Sequence, residues 1–538
     1  MTYFNGITSF SLLLSFILCI PVSFFLVYIF KKIVEKKINS FSLFNEDEPE
    51  ILVPNKNPFP GLKIILPEKN GKVIEGENNL KFFLPHFLSS IAASAACMCI
   101  VFTIDSFWEK GPVFFLFMTA LHMTPILFCF TLFYRHNNAA IKKMWLLTAI
   151  IVLVFFIYFL SKNSIYNVLI LFASIGFNAA LITIICLVIY KFRNIRTLFP
   201  FVVTALFIII LILSFISAVL SGNSNLLAAY FYPVYDFSKA IGMENYSTTV
   251  FYFINILILI SGFALGFMLL NYSFIKKANN NTIMLIDFVW LSHILFTLSL
   301  PIADTSLFIY TVAVFVVYKL VQIISFKIFI PKVEMGINKT LLVLRVFSLK
   351  HESEKLFDMI RSYWLLNGPI TLIAGHDLTA SVVDIEDVLY LLTGRIKNRF
   401  NTTPLLIEKN KSKIDNIADI DGRYRVNEMY CTNTTWKSVL KNLIQSSNKV
   451  MMDIRTFTEL NKGCAFEIKE IIYRVPLNNI LFIANGKTDL KLAKGIMEEA
   501  WNVMPQTSPN TNESGQMIHV FMYETQDDLG QLINTLQK

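Results

Sequence analysis

Nine stretches of this 538-residue chain are long and apolar enough to cross a bilayer, and all lie in its first 332 residues. A spanning helix needs about 20 apolar residues. The segments 9–30, 82–104, 112–134, 144–161, 166–190, 198–220, 249–272, 283–300 and 306–330 approach or exceed that length. Overall the chain is 55% hydrophobic and 16% charged, against about 45–50% and 25% in soluble domains. A single water-soluble domain is thereby excluded, as are a collagenous and a disordered chain.

Charge then orients the segments. Residues 1–332 hold 23 Lys/Arg and 14 Asp/Glu, whereas residues 333–538 hold 24 of each. The +9 net charge therefore belongs to the apolar half, which points to membrane topology and not to nucleic-acid binding. Lys31, Lys32, Lys36 and Lys37 follow the first apolar stretch instead of preceding it, so it reads as an anchor, not a cleaved signal. With 31–81 inside, the later inside loops carry Arg135, Lys142 and Lys143, then Lys191, Arg193 and Arg196, then Lys276 and Lys277. The outside loops carry only Lys110, Lys162 and Lys239. This alternation predicts an N-terminus outside and a C-terminal half in the cytoplasm. The low-charge, Ile/Phe/Asn/Lys-rich composition suits a bacterial inner (plasma) membrane.

Polar residues inside these spans invite a functional hearing, because ionisable groups in hydrocarbon are costly. His86, His122, Asp287, His293 and Lys319 are such residues. Without a dense acidic row or a matched pair of broken helices, they read as interface polar groups and interhelical hydrogen bonds, not as an ion pathway. The segment 31–81, interrupted by five prolines, reads as a small cytoplasmic loop with one candidate strand at Leu62–Leu66. Residues 221–248 form the sizeable outside loop, with Tyr230, Tyr232, Tyr235 and Tyr246 expected at the headgroup belt. The seven cysteines include no C-x-x-C pair, so neither a disulfide framework nor a zinc site is indicated.

From residue 338 the pattern changes to short apolar runs. Thr340–Phe347, Pro369–Ala374, Tyr424–Cys431, Lys449–Arg455, Asn479–Ala484 and Met517–Tyr523 read as strands buried on both faces. Helical stripes at 3.6 spacing lie between them, including Leu356–Trp364, Ile385–Ile396, Trp436–Leu443, Cys464–Val475 and Leu529–Leu536. The expected fold is an α-helical polytopic membrane domain (1–332) followed by a doubly wound, mainly parallel α/β cytoplasmic domain (338–538).

In such sheets ligands bind beyond the carboxyl ends of the strands. That rule selects Arg345 and Phe347 after the first strand, Gly375 and Asp377 after the second, and Asp453, Arg455, Phe457, Gly463 and Cys464 after the fourth. Asp453 and Arg455 alternate, so they point to opposite sides unless the strand has already turned. Glu467 falls at the border of an apolar helical stripe, where a carboxylate is partly desolvated yet still faces a cleft. The bland alternatives are a helix-dipole acid for Glu467 and sheet-end salt bridges for the arginines. His351 and His376 each sit alone, so no metal site is expected. Neither G-x-G-x-x-G nor a P-loop motif occurs.

The run Gly463-Cys464-Ala465-Phe466-Glu467-Ile468 resembles the Trp-Cys-x-x-Glu-[Leu/Ile] step of Toll/interleukin-receptor (TIR) domains, with glycine at the tryptophan's place. More broadly, the half is similar to TIR-like and related nucleotide-binding α/β domains of bacterial membrane proteins, some of which act in signalling. In enzymatic TIR domains that glutamate is the catalytic residue for cleaving the nicotinamide–ribose bond of NAD. The resemblance thus implies NAD or another nucleotide as ligand or substrate, no resident cofactor, and Glu467 as the catalytic group. Arginines at the strand ends would take the pyrophosphate, and a tryptophan or Phe457 would stack on a ring. Three functions stay open: a membrane-anchored nucleotide sensor or effector, a non-enzymatic signalling scaffold that self-associates at the bilayer, and a regulated transporter or channel.

Overall fold

The computed structural model describes residues 2–40, 62–65, 80–104, 111–133, 142–150, 231–277, 280–299, 306–330, 339–345, 350–374, 393–432, 434–512 and 517–537, with a few isolated positions besides. The chain divides into two compact units. One contains residues 1–27, 79–330 and 384–386; the other contains 28–78, 331–383 and 387–538.

The first unit is helical. Its elements are α1 (Thr2–Ser40, which runs on into the second unit), α2 (Leu80–Ile104), α3 (Pro112–His122), α4 (Pro125–Phe133), α5 (Tyr232–Ala240), α6 (Ser247–Ile275), α7 (Asn281–Ser299) and α8 (Ser306–Phe329). Five stretches among the described residues are long and apolar enough to cross a membrane: Ile17–Lys36, Lys81–Ile104, Pro112–Thr131, Glu244–Gly262 and Ile309–Phe329. Asn281–Leu295 is a shorter apolar helix. The expected spans 166–190 and 198–220 lie almost wholly outside the described residues, and 144–161 is helical over 144–150 with most of the remainder outside them.

Three expectations change here. The span 112–134 is two helices, because Pro125 has no N–H to donate and disfavours helical geometry at Thr124. Met123 closes α3 by donating to Thr119 and Ala120 carbonyls at 3.2 and 3.3 Å. The anchor helix continues through its lysines to Ser40, so the first ten residues of the supposed loop are helical. The supposed outside loop contains α5 and a 3₁₀ turn at Glu244–Tyr246, tied by a 2.5 Å hydrogen bond from the Tyr235 hydroxyl to Glu244 Oε1.

The second unit is built on one sheet. Its strands are β1 (Lys63–Ile65), β2 (Leu341–Arg345), β3 (Ile370–Ala374), β4 (Phe400–Asn401), β5 (Val426–Cys431), β6 (Lys449–Asp453), β7 (Ile480–Ala484) and β8 (Met517–Met522). They lie in the order β1-β8-β7-β6-β2-β3-β5-β4, and every pairing is parallel. The candidate strand near Leu62 is therefore real and adds to the sheet's edge beside β8. The helices of this unit are α9 (Lys350–Trp364), α10 (Pro404–Lys411), α11 (Trp436–Ser446), α12 (Lys462–Arg474), α13 (Leu490–Asn502) and α14 (Leu529–Gln537).

Strand alternation divides the core between two faces. Leu342 and Leu344 of β2 pack with Val439, Ile468, Met497 and Trp501 from α11, α12 and α13. Leu341 and Val343 pack with Ile360 and Trp364 of α9 and Leu532 of α14 on the other face. Helices thus cover both faces, as a doubly wound parallel sheet requires.

Gly368, just before β3, holds the start of the sheet close. A Cβ there would run into the Lys339 backbone carbonyl, next to the bond from Leu341 N–H to Pro369 O at 3.0 Å. Backbone cannot give way as a side-chain tip can. Gly368→Ala should cost about 1–3 kcal/mol, read as a lower thermal midpoint of the purified protein.

Candidate functional site

Six strands in the order β5-β3-β2-β6-β7-β8 reproduce the doubly wound sequence 3-2-1-4-5-6. The order reverses between β2 and β6. In open α/β sheets such a reversal separates the flanking connections, and ligands bind beyond the strands' carboxyl ends there. Arg345, the last residue of β2, is in register with Asp453, the last residue of β6, so the switch point is framed by these two positions.

β6 stops at Asp453 and the chain turns at once. Ile454 donates to Ile483 O at 2.8 Å, and Thr456 takes φ 65°, a left-handed conformation that a β-branched residue adopts only under strain. This turn brings Arg455 back onto Asp453. Arg455 Nε and Nη2 reach Asp453 Oδ1 and Oδ2 at 2.9 and 2.8 Å, and the Arg455 backbone N–H donates to Oδ1 at 3.1 Å. The two side chains are together, not on opposite sides, because the strand has already ended. The Arg455 guanidinium also lies 5.4 Å from the ring of Tyr523, the residue after β8. The β7–α13 loop clamps the turn: Thr488 Oγ1 donates to Ile454 O at 3.2 Å, and Asp489 N–H donates to Phe457 O at 3.1 Å.

α12 begins at Lys462 and brings Cys464 and Glu467 in beneath this turn. Cys464 is buried, and burial pushes its thiol well up, with the Glu467 and Asp453 carboxylates adding to the shift. It is a packed thiol, not a ready nucleophile. Glu467 is only 3% exposed, and its Oε2 has no hydrogen-bond partner among the described residues. Burial raises its carboxyl from 4.5 to about 8. At neutral pH it is therefore chiefly a protonated acid, able to donate a hydrogen bond.

The other selected residues divide clearly. Phe457, 1% exposed, is spent in the core and does not line the switch point. Gly463 is the second residue of α12; a Cβ there would stand 3.9 Å from the Trp436 ring, so a larger residue is not barred. Trp436 in turn meets Phe466 edge to face at 5.5 Å. Phe347, Gly375 and Asp377 lie outside the described residues, as does the side chain of Arg345. Tyr523 and Thr488 are not among the residues selected from the sequence. The same strand-end rule, applied after β7 and β8, would have found both.

A small cavity lined by Lys449, Asn479, His519 and Leu536 lies toward the opposite, amino end of the sheet, where Lys449 Nζ donates to Leu536 O at 2.8 Å. It is remote from the switch point. No known protein family, curated protein or solved structure matches the chain.

Proposed function

We propose that the chain is a membrane-anchored sensor whose α/β unit, on the cytoplasmic side, binds a nucleotide beyond the carboxyl ends of β2 and β6. The observation that carries this is the reversal of strand order at Arg345 and Asp453. The strained turn at Thr456 and the buried acid of Glu467 at the same place support it. Arg345 is assigned the phosphates. Arg455 fixes Asp453 and so acts as a positioning residue, its fork being already engaged. Glu467 would donate to a ribose hydroxyl.

A second reading rests on Glu467 being a buried, strongly perturbed acid at the strand end, the kind of group that marks reactive sites. Cleaving the nicotinamide–ribose bond passes through an oxocarbenium-like state that a carboxylate stabilises. Glu467 would take that role in its ionised form, so turnover would rise with pH through about 8.

The test is equilibrium binding of ATP and NAD to the full-length protein in detergent, with nicotinamide release followed in parallel. Arg345→Ala should weaken binding by about 10–100-fold, the worth of one charge-assisted contact. Glu467→Gln should retain binding and abolish any release. Absence of binding by both nucleotides would overturn the proposal and leave self-association as the function to pursue.

A further inference from the structure

The helical unit contains a buried column of ionisable side chains contributed by α2, α3, α7 and α8. Asp287 of α7 pairs with Lys319 of α8, Nζ to Oδ2 at 2.7 Å. Lys319 Nζ also donates to Gln322 Oε1 at 2.6 Å. Gln322 Nε2 lies 2.9 Å from the Tyr318 hydroxyl, 3.3 Å from Asp287 Oδ1 and 3.3 Å from His86 Nδ1 of α2. Asp287, Gln322 and His86 are all buried.

A second station lies farther along α7. His293 Nε2 meets the His122 carbonyl oxygen at 3.0 Å, and the two imidazole rings are 4.3 Å apart. His122 Nδ1 is 3.1 Å from Ser94 Oγ of α2. Six residues of helix separate Asp287 from His293, about 9 Å at 1.5 Å per residue. Trp290 bridges the interval, 5.7 Å from the Tyr318 ring, 6.1 Å from His122 and 5.9 Å from His293.

Simple cross-linking of helices does not account for this set. An ionisable residue in the middle of an apolar helix costs at least about 2.5–3.5 kcal/mol on insertion scales, and here five converge. A structural cross-link would also satisfy its polar atoms. Yet His122 Nε2 and Trp290 Nε1, both buried, have no hydrogen-bond partner among the described residues. An imidazole with one nitrogen engaged and the other open can take a proton on one side and release it on the other.

We propose that this column is a proton pathway through the helical unit, with Asp287–Lys319 and His122–His293 as its two stations. A proton reaching the Asp287 carboxylate forms an O–H bond and breaks the ion pair, leaving the Lys319 ammonium on Gln322 Oε1. That proton then leaves Asp287 along a short chain of waters to the open Nε2 of His122. The imidazolium gives its Nδ1 proton to the Ser94 hydroxyl, which passes its own proton on to water; the ring then returns to its Nδ1–H tautomer and the ion pair re-forms. No oxidant or co-reactant is involved, only protons.

The test uses full-length protein in liposomes loaded with a pH-sensitive dye, driven by a valinomycin-imposed potassium diffusion potential of either sign, with and without ATP or NAD. The wild type should acidify or alkalinise the lumen at least about tenfold faster than protein-free liposomes, the threshold corresponding to 1.4 kcal/mol. The double variant Asp287→Asn with Lys319→Met leaves neither charge without its partner and should lose that flux. His122→Gln, which removes the imidazole that takes and releases the proton, should lose it too. Lys327→Gln, exposed on α8, should conduct like the wild type. A wild-type rate equal to empty liposomes under every condition overturns the proposal. So does a double variant, or a monodisperse His122→Gln protein, that conducts normally.

Discussion

Replacing Arg455 by methionine should destabilise the α/β unit by about 3–5 kcal/mol, the usual cost of removing one partner from a buried ion pair. Asp453 and Arg455 have side-chain exposures of only 4% and 5%. Their contact is bidentate, and the Arg455 guanidinium is shielded further by Tyr523. Methionine would restore the packing of the aliphatic stem but leave the Asp453 carboxylate buried without its fork. The double variant Asp453→Asn with Arg455→Met removes both charges and should recover more than half of the loss. Thermal midpoints of the full chain in detergent decide this. Equal losses in the single and double variants would mean that packing, not charge pairing, holds the turn. The pair also leaves less of Arg455 for a phosphate, since its Nε and Nη2 are engaged with Asp453.

Long apolar runs made most of the architecture legible. β2, β6 and β7 carry the continuous apolar runs Leu341–Leu344, Val450–Met452 and Ile480–Ala484, because a parallel strand covered on both faces has no solvent side to advertise. The stripes Leu356–Trp364 and Trp436–Leu443 likewise became α9 and α11. Elements with weak patterns escaped. β4 is two residues long, and α13 fills its inner face with Ala493, Met497, Ala500 and Trp501 among small and charged neighbours. Strand order was not legible at all, since parallel pairing is decided by crossovers between residues far apart. The site was half legible. The strand-end rule reached Asp453, Arg455 and Glu467, but periodicity placed Glu467 at a stripe border where the fold buries it, and placed Phe457 near a ligand where the fold spends it on core packing. The buried column of the helical unit is the clearest case of hidden information. Its contacts join residues 32, 171 and 236 positions apart, so each polar residue looked solitary in its own apolar segment.

The pH dependence of stability should isolate Glu467. Its carboxyl titrates near pH 8 in the folded chain, against 4.5 ordinarily, because burial disfavours the charged form. Between those values the native state holds a proton that the unfolded chain has released. Stability is therefore fully present below about pH 4.5 and declines by about 1.4 kcal/mol per pH unit as pH rises toward 8. The whole window amounts to roughly 5 kcal/mol. Glu467→Gln is isosteric with the neutral acid and cannot ionise. It should match the wild type near pH 5 and exceed it by several kcal/mol near pH 8, with the excess appearing across the window. Thermal midpoints of both proteins over that pH range measure the difference. Parallel profiles would mean that Glu467 is already ionised in the fold, and its assignment as a hydrogen-bond donor would fall. Divergent profiles carry a consequence for the ligand. A neutral acid donates to a ribose hydroxyl only while it keeps its proton, so nucleotide affinity of the wild type should fall as pH rises past about 8. The amide of Glu467→Gln donates at every pH, and its affinity should stay level where the wild type declines.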